Sequence, residues 1–443
     1  MVKLWGKQKV KAGETYRLMK YVLRVEHEGH TALHNVMTGQ LILLNDDEVR
    51  LLDALPKAYS EDMEALIADH YLVPEGYDEH KQLVSLRTIL RKLTPPIKNI
   101  THYTILPTTA CNARCYYCFE QGSKIVTMTE QTAEDTVRFI AEHCGEAKKV
   151  SITWFGGEPT VAANRIDQIC KGLQREGIEY TGMMYTNGYL FDEEMADRAR
   201  DLWHVRSMQI VIDGTEELYN RIKNYVNPKD NPYQRVMRNI GLLLEREIRI
   251  SVRMNVDRIN HESFEGLAQA LTDRYQSRNN LTMWAFPVIG DYSEGDPDKA
   301  HGEDAWLAER AGELNDLAVS FGLASKVKSL PSLQVWGCMA DGNGTIVIGA
   351  DGALVECCEH YEDVDEVGNL VEGLTNIDEI ASWHEIVYEE MCECCTFAPQ
   401  CVRLKKCLTY GRCYRQLDNQ RYVRTVCEAI SMYVEREVRN DEI

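Results

Sequence analysis

Cys111-Asn112-Ala113-Arg114-Cys115-Tyr116-Tyr117-Cys118 sets three thiols on one short stretch, with three and then two residues between them. Such a triad can wrap a cubane iron–sulfur cluster while leaving one iron without a protein ligand. A structural cluster normally takes four cysteines, so a missing fourth leaves a position for a cofactor or a substrate. Zinc is the competing occupant, but structural zinc wants four nitrogen or sulfur ligands close together, and none follows Cys118 locally. The spacing favours iron–sulfur.

Around this stretch, between Ile100 and Ile289, apolar runs alternate with helical periodicity. The runs Tyr103–Leu106, Val150–Phe155, Gly182–Tyr185, Met208–Ile212, Ile248–Asn255 and Leu281–Val288 are expected strands. The stretches Glu130–Cys144, Ala162–Arg175, Asp192–Leu202 and Tyr233–Glu245 are expected helices between them. Six such units in series predict an α/β fold, a partial (β/α)6 barrel over residues 96–330. Chemistry in barrels of this kind sits where strands end and loops begin, and the cysteine triad follows the first strand directly.

Residues 1–95 form a separate expected domain. Tyr21–Val25, Thr31–Asn35 and Gln40–Leu44 are short strands, with Met37-Thr38-Gly39 as a hairpin turn. Asn45 and the acidic Asp46-Asp47-Glu48 then start a helix through Val49, Leu51, Leu52 and Leu55, ending near Pro56. Further helices are expected from about Ser60 and from Asp78 to Leu93, and Pro95-Pro96 marks the boundary. Residues 331–443 form the third domain, with a hairpin turn at Ala350-Asp351-Gly352 and few long periodic segments; metal clusters would cross-link it in place of a large apolar core.

Composition narrows the function. Fifteen cysteines, ten of them between Cys338 and Cys427, lie in a chain with no secretory signal and no apolar run long enough to span a membrane. A cytoplasmic location is the expectation, and there clustered thiols point to metal ligation rather than disulfides. The formal charge of −20 argues against nucleic acid as a partner. Much of it is local: Asp351 to Gln400 holds fourteen acidic residues and no Lys or Arg, which fits a solvated acidic face.

The triad, with aromatic Tyr117 before its third cysteine, resembles the signature of the radical S-adenosylmethionine (SAM) superfamily. Gly156-Gly157-Glu158-Pro159 after the second strand resembles the family segment that holds the SAM amino group. There the glycines would let backbone approach the ligand, and Glu158 would offer a carboxylate to the ammonium. Tyr185-Thr186-Asn187-Gly188 after the third strand resembles the next SAM-facing segment. Asp213-Gly214 ends the fourth strand. Arg253 and Asn255 stand two apart on the fifth and so share a face; the resemblance implies a SAM carboxylate for Arg253 and the ribose or substrate for Asn255. It also implies that the open iron of a [4Fe–4S] cluster chelates SAM, and that one electron then yields a 5′-deoxyadenosyl radical.

Cys338, Gly352 and Cys357 resemble the opening of a SPASM domain, the auxiliary-cluster module of many peptide-modifying radical SAM enzymes. Cys392, Cys395 and Cys401 match its second half, whereas Lys405 stands at the expected fourth position and Cys407 follows two residues late. The resemblance implies a first auxiliary cluster on Cys338, Cys357 and Cys407. A second would take Cys392, Cys395, Cys401 and Cys427, with Cys413 as rival to Cys427. Cys358 and Cys394 are extra thiols beside ligands. Ser332, Leu333 and Gln334 stand where some relatives carry a further cysteine, so the first cluster is left with an open iron.

The strand–helix order of residues 1–95 looks like the winged-helix-like peptide-recognition domain of enzymes that mature ribosomally made peptides, which bind a leader peptide along a sheet edge. The expected function is modification of a precursor peptide by a radical SAM/SPASM enzyme, forming a thioether or carbon–carbon crosslink, with flavodoxin or ferredoxin as electron donor. The alternatives are an anaerobic sulfatase-maturing enzyme that makes formylglycine, and a non-enzymatic iron–sulfur electron carrier or peptide-binding scaffold.

Overall fold

The computed structural model describes residues 7–11, 13–93, 99–275, 279–288, 305–325, 329–342, 344–359, 365–406 and 422–434. Pro95-Pro96, Cys407 and Cys413 lie outside these. The chain forms two compact units. One comprises Met1–Pro95, Lys326–Gly337 and Glu385–Ile443; the other comprises Pro96–Ser325 and Cys338–His384. The stretch 331–443, expected as one domain, is therefore divided between them.

In the first unit, β1 (Thr15–Leu18) pairs antiparallel with both β5 (Lys57–Ala58) and β6 (Leu72–Pro74). The expected strands appear as β2 (Val22–His27), β3 (His30–Asn35) and β4 (Gln40–Leu44), an antiparallel meander. Helix α1 (Asp46–Asp53) begins where Asn45 predicts. The Asn45 side chain accepts from the Asp47 and Glu48 amides at 3.0 Å, and Glu48 accepts from the Asn45 amide at 2.9 Å, a reciprocal cap. Helices α2 (Glu64–Ala68) and α3 (Glu79–Leu93) follow. Strands β1, β5 and β6 escaped sequence reading because two to four residues are too few to show a period.

Segments distant in sequence complete this core. Arg87 on α3 is 1% exposed, and its guanidinium donates to the carbonyls of Gln334 (3.0 Å) and Pro399 (2.8 Å) and to the Tyr388 hydroxyl. His34 meets the Pro331 carbonyl at 2.7 Å. Ala398 packs among Tyr16, Leu33, Met63 and Leu83, while Val426 and Ile430 pack on Val25 and Ala32.

The same unit contains a buried ion pair. Glu79 accepts from Arg17 Nη2 at 2.9 Å and from the Lys20 amide at 3.2 Å. Burial pushes the Glu79 pKa up, but the Arg17 hydrogen bond and the backbone donors more than offset it, and the net shift is downward. A lowered carboxylate pKa gives stability that is complete above the unfolded value, about 4.3, and is lost as pH falls through the folded value. Urea midpoints of the intact chain measured from pH 7 downward should therefore fall on acidification, and Glu79→Gln should flatten that fall. An acid slope unchanged by the substitution would count against the assignment.

The second unit is built on a ten-stranded sheet. Strands β7 (His102–Ile105), β8 (Lys149–Trp154), β9 (Glu179–Thr186), β10 (Val205–Val211), β11 (Arg249–Val256) and β12 (Leu281–Pro287) lie side by side in sequence order, all parallel. Between them run α4 (Glu130–His143), α5 (Ala163–Arg175), α6 (Glu193–Asp201), α7 (Glu216–Lys223), α8 (Pro232–Glu245) and α9 (Phe264–Tyr275), and α10 (Ala305–Ser320) follows β12. All six expected strands are present within a few residues of their expected ends.

Beyond β7 the sheet continues into the cysteine-rich region. Strand β13 (Thr345–Ile348) runs parallel to β7, and β14 (Ala353–Val355), β15 (Glu366–Asn369) and β16 (Gly373–Leu374) extend the edge antiparallel. The turn expected at Ala350-Asp351-Gly352 joins β13 to β14, with Gly352 at φ +94°. The expectation of a weak core is corrected here: Ile346, Val347, Ile348, Leu354, Val355 and Val367 are all buried. Strands of three or four residues carry too little pattern to announce such a core. Among the described residues, no helix is long and apolar enough to cross a membrane.

Candidate active site

The loop after β7 is fastened on several sides before it reaches its cysteines. Thr109 donates its amide to Val126 O (2.9 Å) and its hydroxyl to Lys124 O (2.8 Å), closing the loop on its own return. The Gly157 and Glu158 amides, following β8, donate to Thr108 O (3.2 Å) and Ala110 O (2.9 Å). The Arg114 amide donates to Lys223 O and the Val226 amide to Asn112 O, both at 2.9 Å. The loop thus carries backbone links to the β8 end and to the segment that follows α7.

Gly156 and Gly157 are required by this packing. Gly156 has φ +109°, which L side chains rarely adopt. A Cβ on Gly157 would lie 2.5 Å from Thr109 O and 2.6 Å from Ala110 O. The two glycines let the backbone of the cysteine loop itself approach closely. Glu158 is fully buried, and its carboxylate accepts from the Thr160 amide (3.1 Å), the Thr160 hydroxyl, the Thr186 hydroxyl (2.8 Å) and the Asn187 amide (2.7 Å). Burial pushes its pKa up while these donors oppose it. The carboxylate bridges the ends of β8 and β9. The Asn187 side-chain amide in turn donates to Asn112 Oδ1 at 2.7 Å, tying β9 to the cysteine loop.

A buried polar network lies under Tyr117. Its hydroxyl donates to Asp213 Oδ2, and Lys223 Nζ stands 2.9 Å from that hydroxyl and 3.0 Å from Asp213 Oδ2. Asp213 Oδ1 accepts from the Asn255 amide at 3.1 Å. Burial alone would favour a neutral amine at Lys223, but Asp213 and then Cys115 hold it as an ammonium. Arg253 Nε donates to Asn255 Oδ1 at 2.7 Å, so these two do share a face of β11. The Arg253 guanidinium lies 4.2 Å from the Phe286 ring centre and 5.2 Å from that of Trp284, a cation held against two β12 aromatics.

The Cys111, Cys115 and Cys118 side chains are partly exposed and lie within electrostatic range of one another. Burial pushes the Cys111 thiol up to about 12 and also raises Cys118. Among the described residues, no three Cys, His, Asp or Glu side chains converge as one metal ion would require. Three soft sulfur donors on one loop, with no histidine nearby in sequence, suit an iron–sulfur cluster. Among the described residues, two buried polar atoms of the same loop, Asn112 Nδ2 and the Tyr116 hydroxyl, find no hydrogen-bond partner, which fits a group that presents acceptors there.

Residues 105–271, from β7 through most of α9, match the family model of the radical SAM superfamily. The chain carries a radical SAM domain. Enzymes of this superfamily use a [4Fe–4S] cluster and S-adenosylmethionine. The serine-type anaerobic sulfatase-maturating enzyme of Klebsiella aerogenes is 24% identical over 192 residues, 41% of this chain and 45% of that one. The probable GTP 3′,8-cyclase of Thermococcus kodakarensis is 36% identical over 91 residues, 20% and 28% respectively. The chain thus spans less than half the length of these curated relatives. Among solved structures, native anSMEcpe with bound AdoMet matches with a TM-score of 0.55 at 14% identity, covering 75% of this chain and 98% of that chain. Streptococcus suis SuiB bound to precursor peptide SuiA matches with a TM-score of 0.51 at 12% identity, covering 91% and 97%. At such identities the likeness is one of fold.

Within the radical SAM domain, Tyr117, Gly156, Gly157, Glu158, Thr186, Asn187, Asp213, Arg253 and Asn255 all fall in or beside the ends of β7 to β11. Lys223 and Asn112 were not anticipated. A lysine in the last turn of a helix normally reads as a solvated partner of the helix dipole, so nothing in the sequence marks Lys223 as buried. Outside the domain, Cys338 and Cys357 belong to the second unit, while Cys392, Cys395, Cys401 and Cys427 belong to the first. Successive turns, from Cys395 N to Cys392 O (3.3 Å) and from Cys401 N to Ala398 O (3.2 Å), fold residues 392–401 compactly. Cys395 packs on the core around Tyr16, and Cys427 on the separate cluster around Val25.

Proposed function

We propose that this chain is a SPASM-type radical SAM enzyme that modifies a ribosomally made precursor peptide, closing a thioether or carbon–carbon crosslink. The observation that carries the reading is the meeting of the cysteine loop with Glu158, Asn187, Asp213 and Asn255 at the ends of successive parallel strands. When bound, the cluster and SAM supply a 5′-deoxyadenosyl radical that takes hydrogen from the peptide. Cys111, Cys115 and Cys118 would hold the cluster. Asn112 Nδ2 and the terminal nitrogens of Arg253 would donate to SAM's polar groups, and Trp284 and Phe286 would keep the Arg253 side of the site apolar.

In the same reading, Cys338, Cys357 and Cys407 hold one auxiliary cluster, and Cys392, Cys395, Cys401 and Cys427 or Cys413 a second. In this reading residues 1–95 take the leader peptide as an added strand along a sheet edge, and flavodoxin or ferredoxin delivers the electron. A second reading, formylglycine formation, is favoured by the 192-residue similarity to the sulfatase-maturating enzyme.

Co-expression with a short Cys-rich or aromatic-rich peptide encoded beside the gene, followed by mass spectrometry, separates the two. A crosslink removes two hydrogen atoms and leaves no aldehyde, whereas formylglycine reacts with a hydrazide. The purified chain, reconstituted without oxygen, should hold about three cubane clusters. About four irons per chain would sink the auxiliary-cluster part of the reading.

A further inference from the structure

We propose that Lys223, held by Asp213 and Tyr117 beneath the cysteine loop, is a positioning residue whose buried ammonium raises the reduction potential of the cluster on Cys111, Cys115 and Cys118. The inference rests on the radical SAM reading of that site and assigns a function to a residue outside the cysteine motif.

Lys223 is 3% exposed and Asp213 is 0% exposed, so neither charge is shielded by bulk water. Two anchors fix the ammonium. At one end it meets Asp213 Oδ2 and the Tyr117 hydroxyl within 3.0 Å. At the other, the Lys223 carbonyl accepts the amide of Arg114, inside the cysteine loop, and α7 stops directly after it at left-handed Asn224. The residue is therefore held to the loop by backbone and by side chain.

The ammonium interacts electrostatically with Cys115 and with Cys118. Reduction adds one negative charge to a cluster already bound by three thiolates. A fixed cation at low dielectric favours that extra charge, and removing it makes reduction harder. Asp213 tempers the effect, so the two residues should act with opposite sign. A pair that served only as a brace would not show opposite signs.

The test uses the full chain, reconstituted anaerobically, with the potential of the SAM-responsive cluster followed by electron paramagnetic resonance during a redox titration. Lys223→Met should make reduction about tenfold less favourable, a shift of about 59 mV to more negative potential for one electron. Lys223→Arg should stay near wild type, and Asp213→Asn should move the potential positive. Shifts in the same direction for Lys223→Met and Asp213→Asn, or no shift in either, overturn the inference. If Lys223→Met fails to hold the cluster, Asp213→Asn decides by its sign. If the wild-type chain shows no SAM-responsive signal, the radical SAM reading of the site fails first and takes this inference with it.

Discussion

Alanine at Cys111, Cys115 and Cys118 together is expected to abolish 5′-deoxyadenosine production while leaving the chain folded. The three side chains are partly exposed and sit on a loop. The core of the second unit rests instead on residues such as Ile105, Trp154, Met184 and Ile210 within β7 to β10, all fully buried. Removing three thiols from the loop opens no cavity in that core. The variant should keep its circular dichroism and its melting transition and should lose about four irons, one cubane, per chain. Undiminished SAM cleavage by the triple variant would defeat the assignment of the site.

Gly157→Ala should produce a loss nearly as large by another route. The new methyl group would meet two backbone carbonyls, Thr109 O and Ala110 O, on the segment leading into Cys111. Backbone oxygens cannot swing aside as a side chain can, so the loop itself must move. The cost should be about 3 kcal/mol, the upper part of the usual range for overpacking. A displacement of about 1 Å at the reacting centre lowers turnover by roughly 100-fold. Gly177→Ala is the matched control. Gly177 has φ +67°, but a methyl group added there would meet nothing within 4 Å, so only the backbone strain of about 1 kcal/mol should appear. Thermal melting and single-turnover 5′-deoxyadenosine formation distinguish the two. Equal effects at both positions would mean that strain rather than packing is responsible.

The parallel sheet was legible because each of its six strands is a stretch of four to eight residues, half or more of them apolar, that stands out from the flanking helices. The helix cap at Asn45 was legible for a different reason: its chemistry is local, three residues reaching across one turn. What stayed hidden depends on partners far along the chain. Lys223 looks like a solvated helix end until Asp213 and Tyr117 surround it. The glycines of Gly156-Gly157 signal close approach, but only the fold shows that the approaching surface is Thr108 to Ala110. Strand β13 has four residues and gains its meaning from pairing with β7, more than two hundred residues earlier.

The discontinuity of the first unit bears on how the protein is made. Arg87 leaves the ribosome 247 residues ahead of Gln334, and further still ahead of Tyr388 and Pro399, the groups its guanidinium meets in the folded unit. At ~5–20 residues per second, the wait is on the order of tens of seconds. Throughout it, α3 carries an unmatched guanidinium, and the apolar surface around Leu83 and Val25 lacks Ala398, Val426 and Ile430. The core around Arg87 can therefore close only after segments made hundreds of residues later have arrived, so its assembly lags well behind its own synthesis.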